Sequence, residues 1–380
     1  MRRLLLSLCA LLVQAAAFGQ PAQVNVSLFQ SHAPGRQLVV DGPIEIMSPV
    51  HRTLEEGSFL FSWREHSIGV SRRLKGAPPS QRMMGATHFV LRSPRGTITL
   101  QLGAGVSRSY KGIITIDATA HGMQIYNRLD FRDYIKSVVG SESTTEFPPE
   151  ALKAQSVLAQ TALARYKLGD LLNDTTEKQA YLGVASVSEA VAAAVDQTWG
   201  DQLVFDARPI TVYFHSTCAG GTSDGETYFG LKRGSFPYLS SRPCDFCRQS
   251  PFWQTKTAKI PQAVFQHYFG KEPVTVLSFD NQRRPLTVEA GGRTMAGYSF
   301  WMKMGQKLGW DKVPGTRYTI ACSPDFVTVT STGAGHGVGL CQWGACGMAH
   351  LGKSYLEILR YYFPGTEVRR ASSDTTPDKH

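Results

Sequence analysis

Outside its first twenty residues, the sequence lacks any long apolar run. A helix that crosses a bilayer needs about 20 mostly apolar residues, so we expect no transmembrane anchor. There is also no internal repeat and no low-complexity linker. With 42% apolar and 18% charged residues, the 380-residue chain has a globular composition. It could form one large domain or two to three smaller ones.

Acidic residues are the scarcer charged class. The chain has 30 Asp and Glu against 40 Lys and Arg, a formal net charge of +10. The basic residues are scattered, with local runs only at 72–75, 283–284 and 369–370. Spread positive charge suits an anionic surface such as a bacterial wall better than an interface that reads DNA sequence. We therefore expect no nucleic-acid partner.

The first nineteen residues have the layout of a secretory signal peptide. A basic tip at Arg2 and Arg3 precedes an apolar stretch from Leu4 to Val13, and small residues follow before Gly19. Cys9 follows Leu8 rather than a small residue, which disfavours a lipoprotein attachment site. We expect the mature protein to be soluble and exported to the periplasm or cell envelope.

The periodicity predicts an α+β fold with a helical centre framed by β-rich parts. Alternating apolar residues predict strands over much of 20–125, and helical spacing begins near 126. "PPEALKAQSVLAQTALARYKL" is the clearest helix, since its entry prolines fit a first turn and its Ala, Leu and Gln favour helix. The predicted parts are the signal peptide 1–19, a β-rich part 20–125, a helical core 126–250, an α/β insertion 251–330, a Gly-rich segment with a closing helix 331–366, and a flexible tail 367–380.

Two short pairs of potential metal ligands stand on either side of a longer loop. They are His215 and Cys218 in "HSTC", and Cys244 and Cys247 in "CDFC". Such spacing is typical of a tetrahedral zinc site, and four protein ligands would make it structural. After export, a disulfide through Cys218 or between Cys244 and Cys247 is an alternative. A buried histidine without a metal is another.

The segment "GAGHGVGLCQWGA" offers a second candidate site. His336 is flanked by glycines, so a ligand could approach its ring closely. Cys341 lies five residues further on, and a Cys–His nucleophile is one interpretation. The other interpretation is that Cys341 is buried, or is paired with Cys322 or Cys346. A cleft-lining His336 is the favoured prediction.

Three glutamates precede the clearest helix in "SESTTEFPPEALKAQ". Glu150 lies in the first turn, where a carboxylate is favoured by free N–H groups. Glu146 reads as a solvated loop charge. Glu142 follows the apolar "IKSVVG" and could lie beside apolar surface, which raises proton affinity and lets a carboxyl donate a proton.

Three motifs in register resemble the bacterial stage II sporulation protein D family, also called the amidase-enhancer family. They are "YIKSVVGSESTTEFPPEALKAQSVLAQTALARY", "ITVYFHSTCAGGTSD" and "GHGVGLCQWGACGMAHLGKSYLEILRYYFPG". The resemblance runs from about residue 25 to 366. Ser143 and Thr144 stand where Met-Pro commonly follows the family's catalytic glutamate.

The resemblance implies a lytic transglycosylase acting on peptidoglycan glycan strands stripped of their stem peptides. The family's catalytic acid falls on Glu142. In the family, the Gly-rich segment lines the substrate groove, so the resemblance implies that His336 and Gln342 contact glycan. Some family members bind a structural zinc through Cys and His, which agrees with the spacing of His215, Cys218, Cys244 and Cys247. No organic cofactor is implied. A non-catalytic wall-binding module that stimulates an N-acetylmuramoyl-L-alanine amidase is the alternative function.

Overall fold

The structure is a computed structural model that describes residues 21–32, 35–73, 78–103, 105–144, 146–167, 169–175 and 179–371. Helices and strands alternate in irregular order, which confirms the predicted α+β class. The predicted signal peptide lies outside the described residues. Within the described residues, no helix is long and apolar enough to span a membrane.

The N-terminal part folds into one large, mainly antiparallel sheet. Its path runs β11-β1-β10-β9-β8-β2-β5-β6-β7, and β3 pairs with β8 and β4. Its strands in chain order are β1 (Gln23–Ser27), β2 (Gln37–Asp41), β3 (Ile44–Ser48), β4 (Arg52–Leu54), β5 (Ser58–Arg64), β6 (Ser67–Arg73), β7 (Met84–Ala86), β8 (His88–Leu102), β9 (Val106–Ala118), β10 (Met123–Asp130) and β11 (Leu171–Asn173). Alternate residues of these strands are buried, as period-two patterning predicts.

Eight helices occur in the described residues. In chain order they are α1 (Phe131–Glu142), α2 (Pro149–Ala162), α3 (Glu189–Gln197), α4 (Gly225–Phe229), α5 (Gln262–Phe269), α6 (Gly297–Leu308), α7 (Gln342–His350) and α8 (Tyr355–Tyr362). The proline-led helix α2 is buried on almost all sides, so it is the centre of the main core rather than an amphipathic surface helix. It contacts α1, α3, α7 and α8.

Helix α2 ends earlier than its sequence pattern suggests. Leu163 is its C-cap, whereas the helical pattern continues through Tyr166. The Tyr166 hydroxyl instead accepts from the N–H of Asn25 and donates to the carbonyl of Asp170. Tertiary contacts to the N-terminal sheet therefore replace the last helical turn.

Residues 256–332 form a unit with its own hydrophobic cluster, built on Ile260, Phe300, Met304, Val327 and Val329 among others. It holds α5, α6 and two three-stranded sheets. The strands are β17 (Lys256–Pro261), β18 (Thr275–Phe279), β19 (Pro285–Ala290), β20 (Arg293–Ala296), β21 (Arg317–Cys322) and β22 (Phe326–Thr332).

Short strands join the remaining segments of the core. They are β12 (Asp201–Phe205), β13 (Arg208–Pro209), β14 (Phe214–His215), β15 (Gly220–Thr222), β16 (Arg242–Cys244), β23 (Leu340–Cys341) and β24 (Glu367–Arg370). Strand β24 pairs with β12, so the predicted flexible tail is corrected over these four residues. Residues 372–380 lie outside the described part of the chain. The parallel pair β14–β23 brings the "HSTC" segment beside the Gly-rich segment.

Candidate active site and cysteine cluster

Glu142 is the last residue of α1. The helix starts where β10 ends, because the Asp130 carboxylate caps the N–H groups of Arg132 and Asp133. Seven of its residues, including Ile135, Val138 and Val139, are buried in the main core. A rigid, packed helix thus carries the carboxyl to a fixed position, as the apolar "IKSVVG" stretch predicts.

Two groups from distant parts of the chain contact Glu142. The N–H of Ala180 donates to Oε1 of its carboxylate at 2.5 Å. The side-chain amide of Gln342 donates to its backbone carbonyl at 3.1 Å. Gln342, the first residue of α7, is only 7% exposed. The structure therefore brings two of the predicted site residues, Glu142 and Gln342, together.

The environment of Glu142 favours its protonated form. Burial raises the pKa of the Glu142 carboxyl above its ordinary value, and the hydrogen bonds from Ala180 and Gln342 offset only part of this effect. The position at the carboxyl end of α1 also disfavours a negative charge. Burial is the main cause of the raised pKa of Tyr134, and the charge of Glu142 is the second. The Tyr134 hydroxyl therefore lies near the Glu142 carboxyl.

The segment that carries Ala180 is fastened to the N-terminal sheet. The Asp174 carboxylate accepts from the N–H of Phe29 at 2.7 Å and from Arg108 at 2.8 Å. The Tyr181 hydroxyl donates to Asn127 at 2.5 Å, and its ring stacks on Tyr134 with centroids 5.2 Å apart. These bonds hold the Ala180 amide in place, so the β-rich part helps to shape the environment of Glu142.

The other two glutamates of the stretch have separate roles. Glu146 is exposed, as a solvated loop charge should be. Glu150 accepts from Lys153 Nζ at 2.6 Å and from the N–H of Tyr355, at the start of α8, at 2.7 Å. Burial raises the pKa of the Glu150 carboxyl, but these partners more than offset it, so the pKa is lowered. Glu150 therefore joins two helices as an ionised group.

We expect Glu150→Ala to destabilise the fold by about 1 kcal/mol, because it removes a charged acceptor from a partly exposed bond. The glycan cleavage that the family resemblance predicts should stay near the wild-type rate, since Glu150 makes no contact with Glu142 in the described structure. Urea unfolding measures the first effect, and an assay of this predicted activity measures the second. Lys153→Ala, which removes only the ion pair, is the control, and a hundredfold loss of turnover in Glu150→Ala would contradict this assignment.

His336 is engaged by the backbone around it. Its Nε2 donates to the carbonyl of Phe214 at 2.9 Å, and its Nδ1 accepts from the N–H of Val338 at 3.1 Å. Burial lowers the pKa of His336 to about 4, so the ring is neutral near pH 7. Both nitrogens are occupied, and the ring holds the Gly-rich segment. Contact between His336 and glycan stays a prediction. Because both ring nitrogens are occupied, such a contact would have to be made by the carbon atoms of the ring.

The predicted metal ligands assemble with one difference. The thiols of Cys218, Cys244, Cys247 and Cys341 are all buried, with their sulfurs within 4.8 Å of one another. His215 is not part of this group: its Nδ1 contacts the carbonyl of Val338 at 3.1 Å, and its buried Nε2 has no hydrogen-bond partner among the described residues. Pairing of β14 with β23 brings Cys341 in as the fourth thiol. None of the six described cysteines forms a disulfide.

The four thiols fit a tetrahedral metal ion. A Zn–S bond is about 2.3 Å, which places the sulfurs of a tetrahedron about 3.8 Å apart. The sulfurs of Cys218 and Cys247 are 3.5 Å apart, far beyond the ~2.05 Å of a disulfide. The cluster could therefore bind a metal ion.

Polar hydrogens also surround these sulfurs. The N–H groups of Cys218 and Gly344 donate to Cys341 at 3.3 Å, and the Tyr362 hydroxyl lies 3.1 Å from the sulfur of Cys244. Cys341 caps α7, but burial and the neighbouring thiols raise the pKa of its thiol well above the ordinary value. A Cβ at Gly344 would lie 2.0 Å from the Tyr362 oxygen, so only glycine fits there.

The Cys–His nucleophile interpretation finds no support in this geometry. Cys341 is fully buried within the sulfur cluster, and His336 uses both ring nitrogens elsewhere. A nucleophilic thiol needs a base within hydrogen-bond reach and access for the substrate. Cys341 is therefore a structural residue.

Sequence reasoning missed Arg284, which is 2% exposed. It projects from β18–β19 of the insertion and donates to the carbonyls of Cys218 and Gly221 at 2.6 and 3.0 Å. A Cβ at Gly337, where φ is +81°, would lie 2.4 Å from its Nε. Arg284 thus links the insertion to both the cysteine cluster and the Gly-rich segment. An Arg in a short basic run gives no sequence signal for burial.

The fold and site define an α+β protein that combines a partly buried carboxyl of raised pKa, Glu142, with a four-thiol cluster. A model of the stage II sporulation protein family matches residues 119–205, which include α1, α2, α3 and Glu142. This match and the relatives below support the predicted resemblance to the stage II sporulation protein D family, also called the amidase-enhancer family.

Relatives match over longer stretches. Stage II sporulation protein D of Bacillus subtilis is 28% identical over 298 residues, which cover 69% of this chain and 83% of the relative. An uncharacterized protein of Brachyspira hyodysenteriae is 29% identical over 271 residues, 67% of this chain and 72% of the relative. The amidase enhancer of B. subtilis is 26% identical over 283 residues, 62% of this chain but only 40% of the relative.

Proposed function

We propose that the protein is a lytic transglycosylase that cleaves the β-1,4 bond between N-acetylmuramic acid and N-acetylglucosamine in peptidoglycan. Its substrate would be glycan strands stripped of their stem peptides. The protein would reach this substrate after export to the cell envelope. Similarity to the stage II sporulation protein D family supports a role at the cell wall. The observation that carries the proposal is the partly buried carboxyl of Glu142 with its raised pKa.

The lone carboxyl favours a transglycosylase over a hydrolase. A glycosidase that uses water normally needs two carboxylates at a set separation. Within the described residues, burial, Ala180 and Gln342 account for the pKa of Glu142, and no second carboxylate contributes to it. A substrate that carries its own nucleophile removes the need for the second one.

In the proposed reaction, protonated Glu142 donates its proton to the bridging oxygen as the bond to the anomeric carbon breaks. The ionised Glu142 then takes the proton of the muramic C6 hydroxyl. The hydroxyl oxygen bonds to the anomeric carbon, which gives a 1,6-anhydro end and restores the acid. The internal nucleophile gains a high effective concentration.

The surrounding groups suit both protonation states. Burial keeps the proton on Glu142 before reaction, as a general acid requires. The Ala180 N–H, 2.5 Å from Oε1, stabilises the carboxylate that forms after proton donation. Gln342 holds the backbone carbonyl of Glu142 and thereby fixes the end of α1.

We also propose that Cys218, Cys244, Cys247 and Cys341 hold a structural Zn²⁺. Four buried thiols would fill its coordination sphere, so the ion would hold the fold together without taking part in catalysis. It would join the "HSTC" strand, the 244–247 loop and the start of α7.

The test is to incubate the purified chain with naked glycan strands and to analyse the products by mass spectrometry. We expect fragments that end in 1,6-anhydro-N-acetylmuramic acid. Fragments with reducing ends would indicate a hydrolase, and intact strands would contradict catalysis.

A second candidate function follows from the amidase enhancer relative. In that case the chain would bind the wall and stimulate an N-acetylmuramoyl-L-alanine amidase without cleaving glycan. Adding the chain to such an amidase would then raise release of stem peptides, and Glu142→Gln would stimulate as well as wild type.

A further inference from the structure

Two arginines of the insertion bond to the backbone beside the cysteine cluster. Arg284 and Arg317 both donate to the turn at residues 218–221. The bonds run from Arg284 to the carbonyl of Cys218 at 2.6 Å, from Arg284 to that of Gly221 at 3.0 Å and from Arg317 to that of Ala219 at 2.6 Å. Ala219 has φ +59°, a conformation that few residues other than glycine adopt. Bonds from the insertion therefore hold this turn in an uncommon conformation.

The same turn is bonded to the sulfurs. The N–H of Cys218 donates to the sulfur of Cys341 at 3.3 Å, and the sulfur of Cys218 lies 3.5 Å from that of Cys247. Cys218 thus contacts the cluster through its N–H and its side chain, and contacts Arg284 through its carbonyl. A change at the cluster that moves Cys218 must also move the acceptor of the Arg284 guanidinium.

The charges at this boundary do not cancel. Nη1 of Arg284 donates to the Ser223 hydroxyl at 3.1 Å, and this hydroxyl donates to the carboxylate of Asp280. Arg284, Arg317 and Asp280 together carry one net positive charge. Burial lowers the pKa of Arg284, the charges of Asp280 and then Cys218 oppose this effect, and an arginine stays protonated near neutral pH. A buried positive charge is costly unless negative charge lies close to it.

We propose that Arg284 is the counter-cation of the metal-loaded cysteine cluster, and that it thereby couples metal binding to docking of the insertion. Thiols that bind a metal are deprotonated. Four thiolates around a divalent ion carry two net negative charges, which the positive boundary complements. The inference rests on the proposed zinc site and not on glycan cleavage. Arg284 is a positioning residue, because it acts on the cluster through Cys218.

The docked insertion also orders the Gly-rich segment. Nε of Arg284 donates to the Thr316 hydroxyl at 3.2 Å, and this hydroxyl donates to the carbonyl of His336 at 3.0 Å. The N–H of Gly335 donates to the carbonyl of Pro314 at 2.8 Å, and the N–H of Thr316 donates to that of Gly335 at 3.2 Å. Since the insertion has its own hydrophobic cluster, loss of metal should loosen this boundary and leave the insertion folded.

The first test measures zinc affinity of the full chain by competition with a chromophoric chelator. Arg284→Met should bind zinc about tenfold or more weakly, because it removes a buried charge beside an anionic cluster. Arg284→Lys keeps the charge but not the two-sided fork, so its affinity should lie between the two. Arg283→Met is the matched control, since it removes the exposed neighbouring guanidinium, and it should bind like wild type.

Melting separates this role from a purely structural one. Zinc should raise the melting temperature less in Arg284→Met than in wild type, because methionine removes a charge that is unbalanced only in the metal-free chain. A structural residue would lower the melting temperature equally with and without zinc. Equal zinc affinity in Arg284→Met and wild type, or an equal rise in melting temperature, would overturn the inference.

Hydrogen exchange of the wild-type chain needs no variant. Removing zinc should speed exchange of the boundary amides of Gly335 and Thr316 by about tenfold or more, while amides of the β17–β22 ladder keep their protection. Unchanged boundary exchange, or an equal increase in the ladder, would remove the coupling and leave the zinc site standing. A wild-type chain that binds no zinc would overturn the zinc proposal and this inference together, and the transglycosylase proposal would be unaffected.

Discussion

Replacing Glu142 by Gln is expected to lower release of 1,6-anhydro ends by about 10²- to 10⁴-fold, the usual contribution of a general acid–base group. Glutamine keeps the shape of the side chain and can still accept from the Ala180 N–H, but it has no acidic proton to transfer. Mass spectrometry of digested glycan strands gives the rate. Circular dichroism and melting should show a folded protein.

The matched control for this variant is Glu146→Gln, which removes an exposed carboxylate four residues further on. It should cleave glycan at the wild-type rate. Near-normal release of anhydro ends from Glu142→Gln would remove the proposed mechanism. A low rate in both variants would point to the loop rather than to the acid.

The raised pKa of Glu142 also predicts the direction of two pH effects. Activity should fall as the pH rises through that pKa, because the reactive form carries the proton. Protonation of Glu142 favours the folded state, so its contribution to stability is fully present below the ordinary carboxyl pKa and is lost as the pH rises through the raised value. Glu142→Gln should therefore be at least as stable as wild type near pH 7.

Removing one thiol of the cysteine cluster should have the largest effect on stability. Cys341→Ser and Cys218→Ser each leave an incomplete ligand set, and loss of a structural metal removes folding free energy. A loss of several kcal/mol would lower the melting temperature by on the order of 10 °C in a domain of this size. Metal analysis of the wild-type chain should find about one zinc per chain, and a strong chelator should reproduce the destabilisation.

Two substitutions serve as controls for the ligand set. Cys322→Ser changes the exposed cysteine on β21 and should leave zinc content and melting unchanged. His215→Gln distinguishes the observed cluster from the one that spacing predicts, and it should retain zinc. Zinc lost in His215→Gln but kept in Cys341→Ser would reverse the assignment. Wild-type protein without metal would contradict the zinc proposal altogether.

Local patterns were sufficient for much of the fold. The entry prolines of α2 and the alternating strands of the N-terminal part appear where propensity and period place them. The end of α2 could not be predicted in this way, since Tyr166 leaves the helix to bond with Asn25, far away in sequence.

The candidate site also has a part that local sequence predicts and a part that depends on distant segments. The apolar stretch before Glu142 marks it as a carboxyl at the end of a packed segment, and the family motif singles it out. Nothing local indicates that Ala180 would donate to its carboxylate, or that Gln342, 200 residues away, would donate to its backbone carbonyl. Helix-forming or loop-forming glutamines look alike in sequence whether or not their polar atoms are satisfied.

By itself the sequence determined the α+β class, the packed apolar segment before Glu142 and three of the four clustered thiols, because these depend on short-range period and spacing. Only the tertiary structure places the thiol of Cys341 within 4.8 Å of the other three, through the parallel pairing of β14 with β23. It also decided the burial that raises the pKa of Glu142, since desolvation depends on which distant segments cover a carboxyl.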